Sequence, residues 1–245
     1  MNKTMILTGI MTFLFTITIF AGNADNYLKK VDEMIDPGKD MTGTVKMVLI
    51  DKSGKSEERD MKTYRKGEKK IFFFQKPAGV KGVAFLSLSD SKMYIYMPAF
   101  KKIRRIASSA KNENFMGTDM SYEDLAETNY SKKYTPTIVS ETDKYVVLKL
   151  TAKKGGDAAY SKLIIKADKK TWLRKSIDLY NKAGKLVKKM KVTKSSIIGG
   201  YPTPSEILMK DISSGHSTKM VMNNIKYDSG LKSSLFSKRK IKRIK

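Results

Sequence analysis

The sequence lacks cysteine entirely and contains a single histidine among 245 residues. Without cysteine there are no disulfide bonds, and a chain of this length does not need them to build a stable core. The same absence excludes a lipid anchor attached to a cysteine behind a leader. A zinc site with only one histidine would need mostly carboxylates, and the acidic residues are sparse and unclustered. We therefore expect no metal and no other cofactor.

Patterns that carry catalysis are also missing. His216 is not accompanied by a G-x-S-x-G nucleophile turn. The Gly-Lys-Ser at 54–56 resembles the end of a phosphate-binding loop, but position 49 is Leu49 rather than glycine, so we predict a hairpin turn there. Glu123 and Asp124 are adjacent, and adjacent residues on a helix point in different directions. The sequence therefore predicts that the protein is not an enzyme.

Negative charge is scarce. Asp and Glu number 24 against 49 Lys and Arg, which gives a formal net charge of +25. This excess suggests an anionic partner such as nucleic acid, acidic lipid headgroups or a cell-wall polymer. It is equally consistent with lysines at solvent-facing strand positions that keep the protein soluble. The densest basic run, residues 237–245, indicates either a transient membrane contact or a solvated end.

The N-terminus has the three regions of a secretory signal. Lys3 supplies the positive charge, Met5 to Phe20 form an uncharged apolar region, and small residues precede a cleavage site after Ala24. We predict a cleaved signal peptide over residues 1–24, a location outside the cytoplasm, and therefore no nucleic-acid partner. The alternative is an uncleaved membrane anchor. Residues 25–245 fit a single domain.

The remaining chain is patterned mainly as β-strands. Apolar residues at helical spacing predict a short helix over residues 24–35, and Ser121 with Asp124 forms a capping-box pattern for a second helix inside the loop 108–131. Residues 231–236 are expected to form another short helical or docking segment. Runs with a period of two and turns between them predict an antiparallel meander. These runs are 41–51, 56–66, 69–76, 82–89, 92–98, 101–107, 133–141, 144–152, 160–167, 172–181, 185–197, 201–212 and 216–227.

Several strands are apolar on both faces, notably in the runs 71–74 and 83–88. A sheet with one face in water would be polar on alternate residues. These strands are therefore covered on both sides, or line an apolar hollow under a lid, or belong to a plain sandwich core. Methionines adapt to ligands of variable shape and suit an acyl-chain cavity, although they also fill ordinary cores. The methionines in question are Met93, Met97, Met116, Met120, Met190, Met209, Met220 and Met222.

A longer pattern accumulates over residues 74–125. Its four blocks are Phe74-Gln-Lys-Pro-Ala-Gly-Val-Lys-Gly-Val-Ala-Phe-Leu, Tyr94-Ile-Tyr-Met-Pro-Ala, Lys102-Ile-Arg-Arg-Ile and Asn114-Phe-Met-Gly-Thr-Asp-Met-Ser-Tyr-Glu-Asp-Leu. Together they resemble the bacterial outer-membrane lipoprotein-sorting protein family, the LolA-like group often found beside RND-type exporters.

The resemblance implies a mainly β fold, an incomplete antiparallel β-barrel of about eleven strands around an apolar cavity with short helices as a lid. It implies a monomeric periplasmic carrier that binds the acyl chains of a lipoprotein or lipid and passes them toward the outer membrane. The alternative is a periplasmic module that senses lipids or lipoproteins, or an accessory subunit of an RND-type inner-membrane exporter.

Site residues follow from the same comparison. We expect the lid to contain Phe115, Met116 and Leu125. The strand residues expected to line the cavity are Phe73, Phe85, Met93, Ile95 and Met97. Arg104 and Arg105 are expected either to meet a headgroup or partner, or to pair with Asp119 and Glu123 and so fix the lid; we favour the pairing.

Overall fold

The computed structural model describes residues 18–127 and 129–244. Most of the predicted signal peptide, including the apolar region up to residue 17, lies outside the described residues. Three α-helices are present in the described part of the chain: α1 (Thr18–Glu33), α2 (Tyr122–Ala126) and α3 (Lys238–Ile241). None of its helices is long and apolar enough to cross a membrane. Single turns of 3₁₀ helix cover Pro98–Phe100, Ser108–Ala110, Phe115–Gly117 and Ser233–Leu235.

Thirteen strands form one antiparallel sheet in the described residues. The first six are β1 (Asp40–Ile50), β2 (Ser56–Lys66), β3 (Lys69–Lys76), β4 (Ala84–Ser89), β5 (Lys92–Met97) and β6 (Lys102–Arg105). The other seven are β7 (Tyr134–Glu141), β8 (Tyr145–Ala152), β9 (Lys162–Asp168), β10 (Arg174–Tyr180), β11 (Leu186–Ile198), β12 (Tyr201–Asp211) and β13 (Ser217–Tyr227).

The sheet is an open meander. Its order is β6-β5-β4-β3-β2-β1-β13-β12-β11-β10-β9-β8-β7, so β1 pairs with β13 and joins two halves that each follow the chain. The edge strands β6 and β7 do not pair with each other, and the segment 106–133 that links them carries α2. The mainly β, incompletely closed fold is therefore confirmed. The strand count matches the thirteen strand-like runs and exceeds the eleven that the family resemblance implied.

The turn between β1 and β2 shows why the Gly-Lys-Ser sequence there is a hairpin. The carboxylate of Asp51 accepts hydrogen bonds from the backbone N–H groups of Ser53 (2.8 Å) and Lys55 (3.0 Å). Gly54 has a φ of +88°, a conformation that residues with a Cβ rarely adopt. Side-chain hydrogen bonds of Asp to its own turn are a common way to close such loops.

One face of the sheet, which we call the inner face, carries most of the core. In the N-terminal half it includes Met47, Phe74 and Phe85, and in the C-terminal half it includes Leu148 and Ile165. The two parts are continuous because Met47 pairs with Met220 across β1 and β13, and both belong to the same apolar cluster. Helix α1 covers the C-terminal half, where it packs against β7 and buries Leu28 and Val31.

The opposite, outer face is covered where β3 and β4 lie. There Ile71, Phe73 and Leu86 pack against Phe236 and Ile241 from the C-terminal segment 231–244. Strand β3 is therefore buried on both faces, as its continuous apolar run predicted. The segment 231–236 docks as expected, and the basic run that follows it is folded onto the sheet through Ile241, which is fully buried.

Candidate functional site

A hollow lies between the inner face and α2, and we call it the inner hollow. It consists of two adjoining cavities of about 90 and 170 Å³. Residues that line both are Met120, Asp124, Glu127, Arg174 and Ile207. Ligand pockets commonly measure about 300–1,000 Å³. Both cavities are therefore smaller than an ordinary ligand pocket, and a long ligand requires the inner hollow to widen.

The walls of the inner hollow are mainly apolar and rich in methionine. Met190 and Met209 line the smaller cavity, and Met220 and Met222 line the larger one. Thioether side chains are unbranched and flexible, so they repack around a guest at low cost. The further apolar lining residues are Ile35, Met34, Met41, Val45, Phe72, Leu125, Leu163, Ile177 and Leu179.

Most of the predicted site residues come together beside the hollow rather than in its wall. Phe85, Met93, Ile95, Phe115 and Leu125 are buried in one cluster. Met97 and Met116 pack against this cluster and are partly buried. Leu125 alone among the eight predicted apolar residues lines the inner hollow.

This cluster is a tightly packed aromatic core. The ring of Phe115 lies 5.6 Å from that of Phe85, 5.7 Å from that of Phe74 and 5.5 Å from that of Tyr122, measured between centroids. Aromatic pairs at such separations contribute about 0.5–1.5 kcal/mol beyond the area they bury. The segment that carries α2 is thus anchored to the N-terminal half of the sheet through Phe115.

Phe73 is not part of this group. It lies on the outer face with Ile71 and Leu86, under Phe236. Successive side chains of a strand point to opposite faces, so Phe73 faces away from its neighbours Phe72 and Phe74. The expectation that Phe73 shares one lining with Phe85 and Met93 is therefore corrected.

The favoured pairing of Arg104 and Arg105 with the lid is wrong. Both arginines are exposed on β6, and Arg105 donates to the carbonyl of Ser91 at 3.3 Å. In the described part of the chain the two lid carboxylates have other partners: Asp119 Oδ2 lies 2.7 Å from His216 Nδ1, and Glu123 accepts from Lys133 Nζ at 2.7 Å. His216 lies directly before β13 and Lys133 directly before β7, and sequence spacing did not bring either of them to the loop that carries α2.

Helix α2 is held first by its own capping box. Ser121 Oγ accepts from the Asp124 N–H at 3.0 Å, and the Asp124 carboxylate accepts from the Ser121 N–H at 2.8 Å, as the sequence predicted. The same carboxylate accepts from the Tyr160 hydroxyl at 3.1 Å and lies 3.7 Å from Lys188 Nζ. Asp124 thus joins the helix start to the C-terminal half of the sheet.

A buried charge cluster holds α2 at Glu123, in its first turn, and at Glu127, directly after it. Lys133 Nζ lies 2.7 Å from Glu123, 3.5 Å from Asp90 and 3.8 Å from Glu127. Burial raises the pKa of Glu127 from an ordinary value of 4.5 to about 7, against the lowering effect of nearby Lys133. Burial alone would lower the pKa of Lys133, but Glu127, Glu123 and Asp90 outweigh it and raise that pKa. Lys133 is therefore a cation, while Glu127 titrates near neutral pH.

The loop before α2 is tied to β13 by the one histidine. Asp119, which is buried, binds His216 Nδ1 at 2.7 Å and accepts from the Thr218 hydroxyl at 2.7 Å. The Asp119 N–H in turn donates to Thr218 Oγ1 at 2.9 Å. The Thr218 hydroxyl therefore donates to the Asp119 carboxylate and not to the His216 imidazole. The three side chains thus fix the loop and do not form a nucleophile with its general base.

The larger cavity also has a polar end. Lys70 Nζ lies 3.0 Å from Asp36 Oδ2 and donates to the Glu127 carbonyl at 2.7 Å. Arg174 Nη1 donates to the Tyr130 hydroxyl at 2.7 Å, and burial raises the pKa of Tyr130 to about 12. Cations at the wall of an apolar space are suited to the polar end of an amphipathic molecule. No group of three or more potential metal ligands occurs in the residues that the structure describes.

Apart from Leu125 and several methionines, sequence reasoning missed the residues of the hollow itself. Ile207 and Arg174 belong to strands of the C-terminal half, outside the conspicuous block 74–125. One sequence signal did point there: Met120, Met190 and Met209 were among the methionines that suggested an adaptable cavity. A period-two pattern identifies which residues of a strand share a face, but it does not show where a cavity forms against that face.

Comparisons with known proteins agree on the family and the fold. A family model described as that of an uncharacterized protein matches residues 66–243. A DUF1329 family protein from Desulfovibrio piger has 27% identity and a TM-score of 0.84, with 91% of this chain and 100% of that chain covered. A structure described as an outer membrane lipoprotein-sorting protein domain, from Vibrio parahaemolyticus, has 24% identity and a TM-score of 0.83 at the same coverage.

A LolA superfamily protein from Nitrosomonas europaea has 22% identity and a TM-score of 0.74, with 88% of this chain and 98% of that chain covered. No curated protein matches the chain. The resemblance read from residues 74–125 is thereby confirmed. The chain belongs to the family of uncharacterized proteins whose model it matches, and it has the fold of the LolA superfamily.

Proposed function

We propose that the protein is a periplasmic carrier that binds the acyl chains of a lipid or lipoprotein in the inner hollow and passes them toward the outer membrane. The observation that carries the proposal is the methionine-lined hollow between the inner face of the sheet and the short helix α2. Each buried CH₂ of an acyl chain contributes about 0.8 kcal/mol. An apolar space that opens is therefore sufficient for binding, and no chemical step is needed.

Opening is expected at α2. This helix has five residues, and it lies in the segment between the two edge strands rather than in the sheet. It is held by the polar contacts of Glu123 and Asp124 and by the burial of Leu125 and Ala126, and moving it breaks no strand pairing. Displacement of α2 would join the two cavities, which already share five lining residues, and admit a longer guest.

The polar end of the hollow gives the guest an orientation. Lys70 and Arg174 lie at its wall, near the C-terminal side of α2. An acyl chain would occupy the methionine-lined part, and its ester or phosphate group would lie near these cations. Asp36, which neighbours Lys70, would compete with an anionic group for that cation.

The expected export and processing of the chain fit this role. A signal peptide over residues 1–24 would deliver residues 25–245 to the periplasm as a single domain. With no cysteine for a lipid anchor, the processed protein would diffuse freely between membranes. The lipoprotein-sorting description of the similar Vibrio structure is in line with this proposal.

The test compares two tryptophan substitutions. Ile207→Trp fills the hollow from a residue that lines both cavities, whereas Ile197→Trp places the same change on a residue that is 64% exposed on β11. Protein purified from its producing cell is extracted for mass spectrometry and titrated with a fluorescent fatty acid. We expect bound lipid and probe affinity to fall at least tenfold in Ile207→Trp and to stay unchanged in Ile197→Trp.

Absence of bound lipid and of probe binding in the unaltered protein would sink the carrier proposal. Equal binding by both variants would place the guest elsewhere. A second measurement separates a shuttle from a sensor or an exporter-accessory subunit: loaded protein is mixed with acceptor vesicles, and transfer of the labelled lipid is followed. A carrier releases its guest to the acceptor, whereas a sensor retains it.

A further inference from the structure

A basic groove lies on the outer side of the sheet, away from the inner hollow. It is an open depression of about 990 Å³ between the β6 edge and α3. Eight of its ten lining residues are lysine or arginine and none is acidic. The cations are Lys101, Lys102, Arg104, Arg105, Lys238, Arg239, Lys242 and Arg243, and the other two lining residues are Tyr94 and Ile103.

Two distant parts of the chain supply these charges, residues 101–105 and residues 238–243. Helix α3 is anchored by Ile241, which is fully buried, and by Phe236 just before it. Lys238 Nζ lies 5.3 Å from the Tyr94 ring centroid, which ties the helix to β5. The basic terminus is therefore not a loose solvated end. Apolar anchoring holds like charges together that would otherwise repel one another.

An exposed aromatic residue adjoins the groove. Phe100 is 64% exposed and ends the 3₁₀ turn 98–100 directly before Lys101. A large apolar side chain beside a cluster of cations is the combination by which peripheral proteins bind anionic membranes: the cations meet the headgroups and the aromatic ring enters the interface. A polyanion without aromatic or acyl groups, such as heparin, would use the cations but leave Phe100 in water.

We propose that the basic groove and Phe100 form a docking surface for an anionic phospholipid membrane. This surface is separate from the inner hollow, so it goes beyond the carrier function and does not require it. Docking through β6 and α3 would hold the protein at the bilayer surface by headgroup phosphates, with no apolar segment crossing it.

The experiment measures binding to vesicles of phosphatidylcholine with about one third phosphatidylglycerol, and to vesicles of phosphatidylcholine alone. Every protein is expressed with its own leader and purified as the host processes it, so all variants share one N-terminus. The groove variant changes Lys101, Lys102, Lys238 and Lys242 to glutamine. The matched control changes four exposed strand lysines, Lys149, Lys166, Lys191 and Lys210, to glutamine and has the same net charge.

We expect the unaltered protein to bind the anionic vesicles, to ignore the neutral ones, and to release as salt is raised to about 0.5 M. Each juxtamembrane lysine contributes about fivefold in affinity, so the groove variant should lose at least about 100-fold. The control should lose less than about fivefold. Equal losses in both variants would show that binding follows total charge, and would overturn the proposal.

Phe100→Ala tests the nature of the anion. We expect it to weaken vesicle binding about tenfold and to leave binding to heparin unchanged, whereas binding to single-stranded DNA should weaken because its bases can stack on an aromatic ring. If Phe100→Ala has no effect on vesicles, or if the protein binds these polyanions more tightly than the vesicles, the groove belongs to a soluble polyanion and the membrane proposal fails. Ile207→Trp should bind anionic vesicles normally, so failure of the hollow and failure of the groove are distinguished.

Discussion

Glu127 offers the most direct test of how α2 is held. It directly follows α2, and its carboxylate accepts from the Asn129 N–H at 3.0 Å and lies 3.8 Å from Lys133. Glutamine has nearly the shape of a protonated glutamate and keeps an oxygen for the Asn129 hydrogen bond. Glu127→Gln therefore removes the titration, while Lys133 keeps Glu123 at 2.7 Å and Asp90 at 3.5 Å.

The sign and size of the contribution of Glu127 to stability follow from its pKa. Because the pKa of Glu127 is about 7 in the folded protein and 4.5 ordinarily, the folded state binds the extra proton between these two values. The contribution of Glu127 to stability is therefore fully present below pH 4.5 and is lost as pH rises through 7. At about 1.4 kcal/mol per pKa unit, the loss is at most about 3.5 kcal/mol. The Glu127→Gln variant does not show this loss, because glutamine does not ionise.

The assay is urea unfolding at pH 5 and pH 8, followed by the fluorescence of Trp172, which lies against Tyr27 of α1. We expect Glu127→Gln to match the unaltered protein within about 1 kcal/mol at pH 5 and to exceed it by about 2–3 kcal/mol at pH 8. Glu123→Gln is the control: it removes the closest partner of Lys133 and should cost about 1.5–3 kcal/mol at pH 8. If Glu127→Gln is destabilising at pH 8, the ion pair with Lys133 outweighs burial and the reasoning is refuted.

Three further substitutions test the attachments on both faces. Phe236→Ala should lower the free energy of unfolding by about 3–5 kcal/mol in urea, since it empties the outer cluster, whereas Phe100→Ala should change it by less than about 0.5 kcal/mol. His216→Ala should cost about 1–3 kcal/mol, because Asp119 loses a partner while buried, and limited proteolysis should then cut the loop before α2 faster than in the unaltered protein. Ser121→Ala should cost about 1 kcal/mol by thermal unfolding, and an unchanged melting temperature would mean that the cap contributes nothing.

The strands and turns could be predicted because their causes are local. Alternating side chains mark a strand, and residues such as Asp51 and Gly54 close the turn between two of them whatever the rest of the chain does. The capping box of α2 is local in the same sense, since Ser121 and Asp124 are three residues apart. These elements accordingly match the structure within a few residues.

The site depended on long-range placement, which local patterns do not carry. Asp119 and His216 are 97 residues apart in sequence, and only the pairing of the whole sheet brings them to 2.7 Å. Arg104 has the charge to pair with the acidic residues Asp119 and Glu123, but it lies on the exposed edge strand β6. Phe73 was misplaced for a different reason: in an apolar run covered on both sides, composition no longer tells which face is which.

The kind of contact that holds α2 bears on the lid role that we propose for it. A buried ion pair gains little net stability over apolar packing, because desolvation consumes most of the attraction, but it fixes one position. Lys133 with Glu123 therefore fixes where α2 lies, and the burial of Leu125 and Ala126 in the apolar cluster adds to its attachment. A guest that displaces α2 would have to separate the Lys133–Glu123 pair and expose Leu125 and Ala126. Ionisation of the buried Glu127 carboxylate near neutral pH would lower the cost of moving that end of the helix as pH rises.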